Sequence, residues 1–160
     1  MAELLKNILV PTDNSENSRE AFNYAIGLAE KFQSKIYVLY VIDIGYLEQG
    51  YLYESNPRRS PVLDLEQHLF EEKTKETTDF IDKNKKDTNL SIEMMIKRGK
   101  PFVEIIATAR EKEADLIVMG THGRSGLSHV FMGSVAEKVV RKASCPVLTI
   151  KPKGFKFEAA

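Results

Sequence analysis

Five short apolar runs alternate strictly with four amphipathic segments along this chain of 160 residues, and that order restricts its fold more than any other feature. The runs fall at residues 6–11, 36–42, 91–97, 116–119 and Val147–Ile150. Residues 36–42 (IYVLYVI) are apolar throughout and rich in β-branched and aromatic side chains, the signature of a strand covered on both faces in a parallel sheet. Residues 91–97 (SIEMMIK) mix polar and apolar side chains and suit a sheet edge. Between the runs, apolar residues recur at the three- and four-residue spacing of a helix stripe. They are Ala21, Phe22, Ala25, Ile26, Ala29 and Phe32; then Leu65, Leu69, Phe70, Phe80 and Ile81. Phe102, Ile105, Ile106 and Ala109 follow, with Pro101 opening their helix. The last stripe is Val135, Val139, Val140 and Ala143. Strand and helix in alternation predict a three-layer α/β/α sandwich around a doubly wound, Rossmann-like, five-stranded, mainly parallel sheet.

The remaining bounds are broad. One domain over residues 1–152 and a tail at 153–160 are expected. Charge is balanced, with 23 basic and 23 acidic residues, which argues against a nucleic-acid or polyanion binder. No segment approaches the ~18 apolar residues of a membrane span. The opening MAELLKNILVPTDNS has neither a basic leader nor a small-residue cleavage site. The single cysteine, Cys145, leads into an apolar run and reads as a core residue. A cytoplasmic protein is the expectation. Residues 43–60 form the longest irregular stretch, either a lid or a plain surface loop, and Tyr46, Tyr51 and Tyr53 within it read as loop packing. His122 and His129 have no Cys or carboxylate cluster beside them and are read as non-metal residues.

In such a sheet, ligands bind beyond the carboxyl ends of the strands at the switch point. Two segments carry suitable residues there: Pro11-Thr12-Asp13 after the first strand, and GTHGRSGLSHVFMGS, from Gly120 to Ser134, after the fourth. Glycine lets backbone approach an anion and allows positive φ. Gly133 and Ser134 stand where a helix begins, and its free N–H groups favour phosphate. Plainer readings stand beside these. Ser134 and Glu137 match an S-x-x-E capping box, Asp13, Asn14 or Ser15 can cap the first helix, and Arg124 can be a solvent-facing loop residue. The chain lacks G-x4-G-K-[ST], lacks G-x-G-x-x-G after the first strand and lacks G-x-S-x-G. Where a receiver domain would carry its acceptor aspartate stands Lys97-Arg98-Gly99.

The pattern G-x2-G-x9-G-[ST] after Ile-Val-Met-Gly resembles the nucleotide-binding signature of universal stress proteins. The opening Ile-Leu-Val-Pro-Thr-Asp, the later Gly99-Lys100-Pro101 and the closing Cys-Pro-Val-Leu resemble that family too. The resemblance implies an adenine nucleotide alpha hydrolase-like fold and an ATP site, with Mg²⁺ or Mn²⁺ bound through phosphates. Asp13 would meet the ribose or lie near that metal. Pro11, Thr12 and Val41 would line the adenine side, with Met119 below. Gly120, Gly123, Gly133, Ser134 and Val135 would contact ribose and phosphates, with Arg124 beside them. No general base is evident, so no catalytic residue is assigned. The expected function is a nucleotide-dependent switch in stress response. The alternatives are a slow metal-dependent ATPase and a nucleotide-free dimeric scaffold. The apolar run Val147–Ile150 is expected at a sheet edge, and the resemblance implies a homodimer paired through it, with no nucleic acid or membrane as partner.

Overall fold

A computed structural model of the chain describes residues 4–45, 61–123 and 131–154. Its elements follow one another as β1 (Asn7–Thr12), α1 (Glu16–Phe32), β2 (Lys35–Asp43), α2 (Pro61–Asn84), β3 (Ile92–Gly99), α3 (Pro101–Glu111), β4 (Leu116–Gly120), α4 (Ser134–Lys142) and β5 (Val147–Ile150). The sheet order is β3-β2-β1-β4-β5, and every neighbouring pair is parallel. The expected fold is what forms, with the sheet wholly rather than mainly parallel. The loop expected at 43–60 lies for the most part outside the described residues, as does most of the tail.

Alternation along each strand sends successive side chains to opposite faces. Ile8, Val10, Ile36, Val38 and Val118 pack with Phe22 of α1 and with Phe80 and Ile81 of α2. Leu9, Tyr37, Leu39, Ile117 and Met119 pack with Ile105 and Ala109 of α3 and with Ala136 and Val139 of α4. Phe22 is fully buried, its ring centroid 5.7 Å from that of Phe80. Burial of such side chains is worth about 1.5–3 kcal/mol each, and this clamps both helical layers onto the sheet. Cys145 sits half-buried at the rim of the second cluster, where burial pushes its thiol above the ordinary value.

The helical stripes need three corrections. Phe32 ends α1 exposed, because the chain turns away at Gln33 in a left-handed conformation, φ 55°. Leu65 and Phe70 are exposed on α2, whose buried face is Thr77, Phe80 and Ile81. The first half of α2 meets β3 through charge instead: Arg98 pairs with Glu66 at 2.8 Å and stacks over Phe70. On α4 the buried pair is Ala136 and Val139, while Val140 is exposed.

One irregularity in the ladders prepares the site. β1 runs with β2 from Asn7↔Lys35 to Thr12↔Tyr40. It pairs with β4 only at Ile8↔Leu116 and Leu9↔Ile117. Beyond those residues β1 and β4 part while each continues to its carboxyl end, and a crevice opens at the point where strand order reverses.

Candidate functional site

The crevice is lined from three directions. Pro11, Thr12 and Asp13 come from the end of β1. Leu39, Val41, Pro101, Ile105 and Met119 make an apolar wall. Residues 120–123 and 133–136 close the third side. Its cavity volume is about 210 Å³, with the open mouth left out. Every residue expected from the sequence lies on this one cleft except Arg124, which falls outside the described residues, as does His129. Within the described residues, no group of three potential metal-ligating side chains occurs.

The β1–α1 turn is held by short side chains. Ser15 is the N-cap of α1, and its hydroxyl accepts the Ser18 N–H at 3.3 Å. Asp13 is therefore not the cap. Its Oδ1 accepts the Ser15 N–H at 3.0 Å and the Ser18 hydroxyl at 2.6 Å, and the Asp13 N–H donates to Ser18 Oγ at 3.2 Å. Three bonds on one residue fix the carboxylate at the mouth of the cleft. Asn14 sits at φ 62°, which a short polar side chain tolerates. Its N–H donates to Thr12 Oγ1 at 3.0 Å, so the Thr12 hydroxyl turns into its own loop.

Opposite, the segment after β4 is clamped at both ends. Thr121 N–H donates to Ile150 O at 3.0 Å and continues the β4–β5 ladder. Gly133 N–H returns to Thr121 O at 2.7 Å. Gly133 is then the N-cap of α4 and Ser134 its first residue. The capping box is not formed: among the described residues no side chain caps α4, and Glu137 pairs along the helix with Arg141 at 3.1 Å. The first backbone N–H groups of a helix have no partner within it. Those of Ser134, Val135 and Ala136 begin α4 at the cleft, where all three residues form part of the wall.

The glycines act through space, not through unusual dihedrals. Gly133 has φ −59°, and neither Gly120 nor Gly123 is left-handed, so the expected positive φ is absent there. A Cβ at Gly123 would stand 2.8 Å from Asp13 Oδ2, and one at Gly133 would stand 3.1 Å from Thr121 O. A Cβ at Gly120 would overlap Asn17 Oδ1 and stand 2.8 Å from its Cγ. The described glycines with positive φ are Gly99, φ 150°, where β3 turns into α3 beside Pro101, and Gly154, φ 77°, after β5.

Two buried polar residues near the cleft escaped the sequence reading. Ser18, 6% exposed, holds Asp13; Asn17, 8% exposed, bridges α1 to the loop after β4. Both lie in the first turns of α1, where Ser and Asn read as ordinary helix-start residues. The signal that could have found Ser18 is its place three residues after the Ser15 cap.

The sequence matches the universal stress protein family over residues 5–151. It is 37% identical to universal stress protein MJ0531 of Methanocaldococcus jannaschii over 92% of this chain and 83% of that protein. Among solved structures, that of MJ0577 from the same organism superposes with TM-score 0.78 at 28% identity, covering 94% of this chain and 99% of that one. The universal stress protein UspA of Lactobacillus plantarum superposes with TM-score 0.69 at 29% identity, covering 91% and 97%. With a family match over nearly the whole length, and with a relative 37% identical over most of both chains, the chain belongs to the universal stress protein family.

Proposed function

We propose that the cleft binds ATP and that the protein acts as a nucleotide-dependent switch in stress response. The observation that carries this is the pairing of two chemistries across one crevice. On one side is a wall of Leu39, Val41, Pro101, Ile105 and Met119; on the other is the N-terminus of α4, whose N-cap Gly133 brings no side chain. A base needs the first, and a phosphate chain needs the second. Asp13 lies between them, held at Oδ1, in a position suited to a ribose hydroxyl. Each charge-assisted hydrogen bond from Ser134, Val135 or Ala136 N–H would add about 1.5–3 kcal/mol. A phosphate chain can therefore be held without a lysine. Mg²⁺ or Mn²⁺ would arrive with the phosphates, since Asp13 is the one carboxylate among the described cleft residues.

Two more distant structural neighbours are universal stress proteins in complex with cAMP and, from Archaeoglobus fulgidus, with dAMP. At 23% and 20% identity they speak for the fold alone, and the nucleotide reading rests on the cleft. Of the titratable side chains on the described cleft, Asp13 is tied at Oδ1 to Ser15 and Ser18, and His122 Nδ1 lies 2.7 Å from Thr121 Oγ1, which supports a switch over a fast ATPase.

We also propose a homodimer. β5 is an edge strand with Leu148 partly exposed, and an apolar edge invites pairing. Antiparallel pairing of two β5 strands about a twofold axis would close it.

The test is mass spectrometry of the denatured purified protein, followed by thermal shift with Mg-ATP and Mg-GTP. Co-purified adenine nucleotide and a larger shift with ATP are expected. No shift with either nucleotide, or equal shifts, overturns the assignment.

A further inference from the structure

Asn17 is a buried amide whose two ends reach different elements. Its Nδ2 donates to Ile150 O at the end of β5, 3.1 Å away. Its Oδ1 accepts the His122 N–H at 2.9 Å. Reversing the amide would set donor against donor and acceptor against acceptor, so this orientation is the one the partners allow. Gly120 stands directly against it, since any Cβ there would overlap Oδ1. The first glycine of the G-x2-G pair is thus required by Asn17, whatever the cleft holds.

We propose that Asn17 is a positioning residue for the nucleotide site: it sets the backbone path from Gly120 to Gly123 and so aims His122 and Gly123 at the bound ligand. This rests on the nucleotide reading above. The neighbouring bonds show which atoms depend on Asn17. Thr121 is held without it, through its own N–H to Ile150 O and through Gly133 N–H to its carbonyl. Ile150 O also keeps the Thr121 N–H, and Thr121 Oγ1 lies within 3.4 Å. Loss of the Asn17 side chain therefore releases one group in particular, the His122 N–H, and with it the short stretch that carries Gly123 past Asp13. The anchor of that stretch lies in α1, on the opposite side of the crevice from α4, so both helices that border the site fix its third wall.

The test compares the parent, Asn17→Ala, Gly120→Ala and the double variant. Asn17→Ala is expected to weaken ATP binding about tenfold, equivalent to about 1.4 kcal/mol, at temperatures well below either melting point. Amide hydrogen exchange should show lost protection at His122 and retained protection at Thr121, whereas a merely structural role loosens β4 and β5 together. Gly120→Ala should melt lower than the parent, and adding Asn17→Ala should recover part of that loss. Should Asn17→Ala not fold, Asn17→Ser serves in its place, its hydroxyl being too short to reach His122 N. An affinity within about twofold of the parent's, or unchanged protection at His122, overturns the proposal. A parent that binds no ATP overturns the nucleotide reading and this inference together, and so separates that failure from the failure of Asn17 alone.

Discussion

Gly133→Val tests the centre of the proposed site. The backbone at Gly133, φ −59° and ψ 150°, is open to any residue, so the effect is spatial. The new Cβ would stand 3.1 Å from Thr121 O and 3.8 Å from His122 Cα, tighter than carbon normally approaches a carbonyl. The added methyls would wedge α4 away from the Thr121–Gly123 strip and strain the 2.7 Å bond from Gly133 N–H to Thr121 O. Valine is also a poor N-cap, a loss of about 1 kcal/mol. Folding should therefore suffer by about 1–2 kcal/mol, a fall of roughly 2–8 °C in melting temperature for a chain of this size. Binding should suffer more. If the wedge costs the phosphates two of the N–H donors at Ser134, Val135 and Ala136, at about 1.5–3 kcal/mol each, affinity falls by roughly 3–6 kcal/mol. That is at least about a hundredfold. Titration calorimetry with Mg-ATP, beside a thermal melt of the free protein, reads both quantities, and Gly133→Ala should fall between. A folded Gly133→Val protein with an affinity within about threefold of the parent's removes the α4 N-terminus from the site.

Asp13→Ala should weaken ATP binding about tenfold to a hundredfold, less than Gly133→Val, and an unchanged affinity would confine Asp13 to bracing the β1–α1 turn through Ser15 and Ser18. Leu148→Lys places charge on the β5 edge and should shift the mass by light scattering from dimer towards monomer; a dimer that persists undiminished puts the interface elsewhere. Glu93, hydrogen-bonded by Lys35 and then Lys112, is held below its ordinary value of about 4.5, with Glu111 lowered likewise, first by Lys97. A carboxyl with a depressed folded pKa stabilises above its unfolded value and loses that contribution as pH falls through the folded one. Acid titration of Glu93→Gln below about pH 4.5 should therefore be shallower than the parent's, by under about 1 kcal/mol for so exposed a group; identical profiles refute the pairing.

The sheet was legible because buried parallel strands are apolar on both faces, and β2 shows this over residues 36–42. The helix faces were less so. Periodicity marks Phe32, Leu65, Phe70 and Val140 as core, yet whether each is covered depends on where the sheet ends and where the chain turns. Leu65 and Phe70 lie on the half of α2 that meets β3 through Arg98, a tertiary contact that helical spacing does not encode. In the site, glycine spacing and the Asp13 loop pointed to two strand ends that fold onto one cleft. The capping box at Ser134 and Glu137 misled, because the cap is one residue earlier: Gly133 already closes onto Thr121, and it brings no side chain to cap α4. Asn17 and Ser18 were invisible for a different reason. Each acts on a segment or residue brought near only by folding, at sequence separations of 105 residues for Asn17 to His122 and 5 for Ser18 to Asp13.

The three glycines of G-x2-G-x9-G are often taken as one statement about phosphate, but here each answers a different neighbour. Gly120 clears Asn17, Gly123 clears the Asp13 carboxylate and Gly133 clears the Thr121 carbonyl. All three neighbours belong to the protein, so each glycine has a folding reason before any ligand arrives. The pattern alone would then survive in a relative that had lost nucleotide binding but kept Asn17, Asp13 and the Thr121 clamp. What separates a binding cleft from a merely packed one is the start of α4. If a side chain at position 133 capped that helix, it would take up the N–H of Val135 or Ala136, one of the donors that favour an anion. A glycine there leaves that N–H available, although its φ of −59° and ψ of 150° are open to any residue. The start of α4 at Gly133, which brings the Val135 and Ala136 backbone to the cleft with no side chain of its own, is therefore the feature of the motif that points most directly to a ligand.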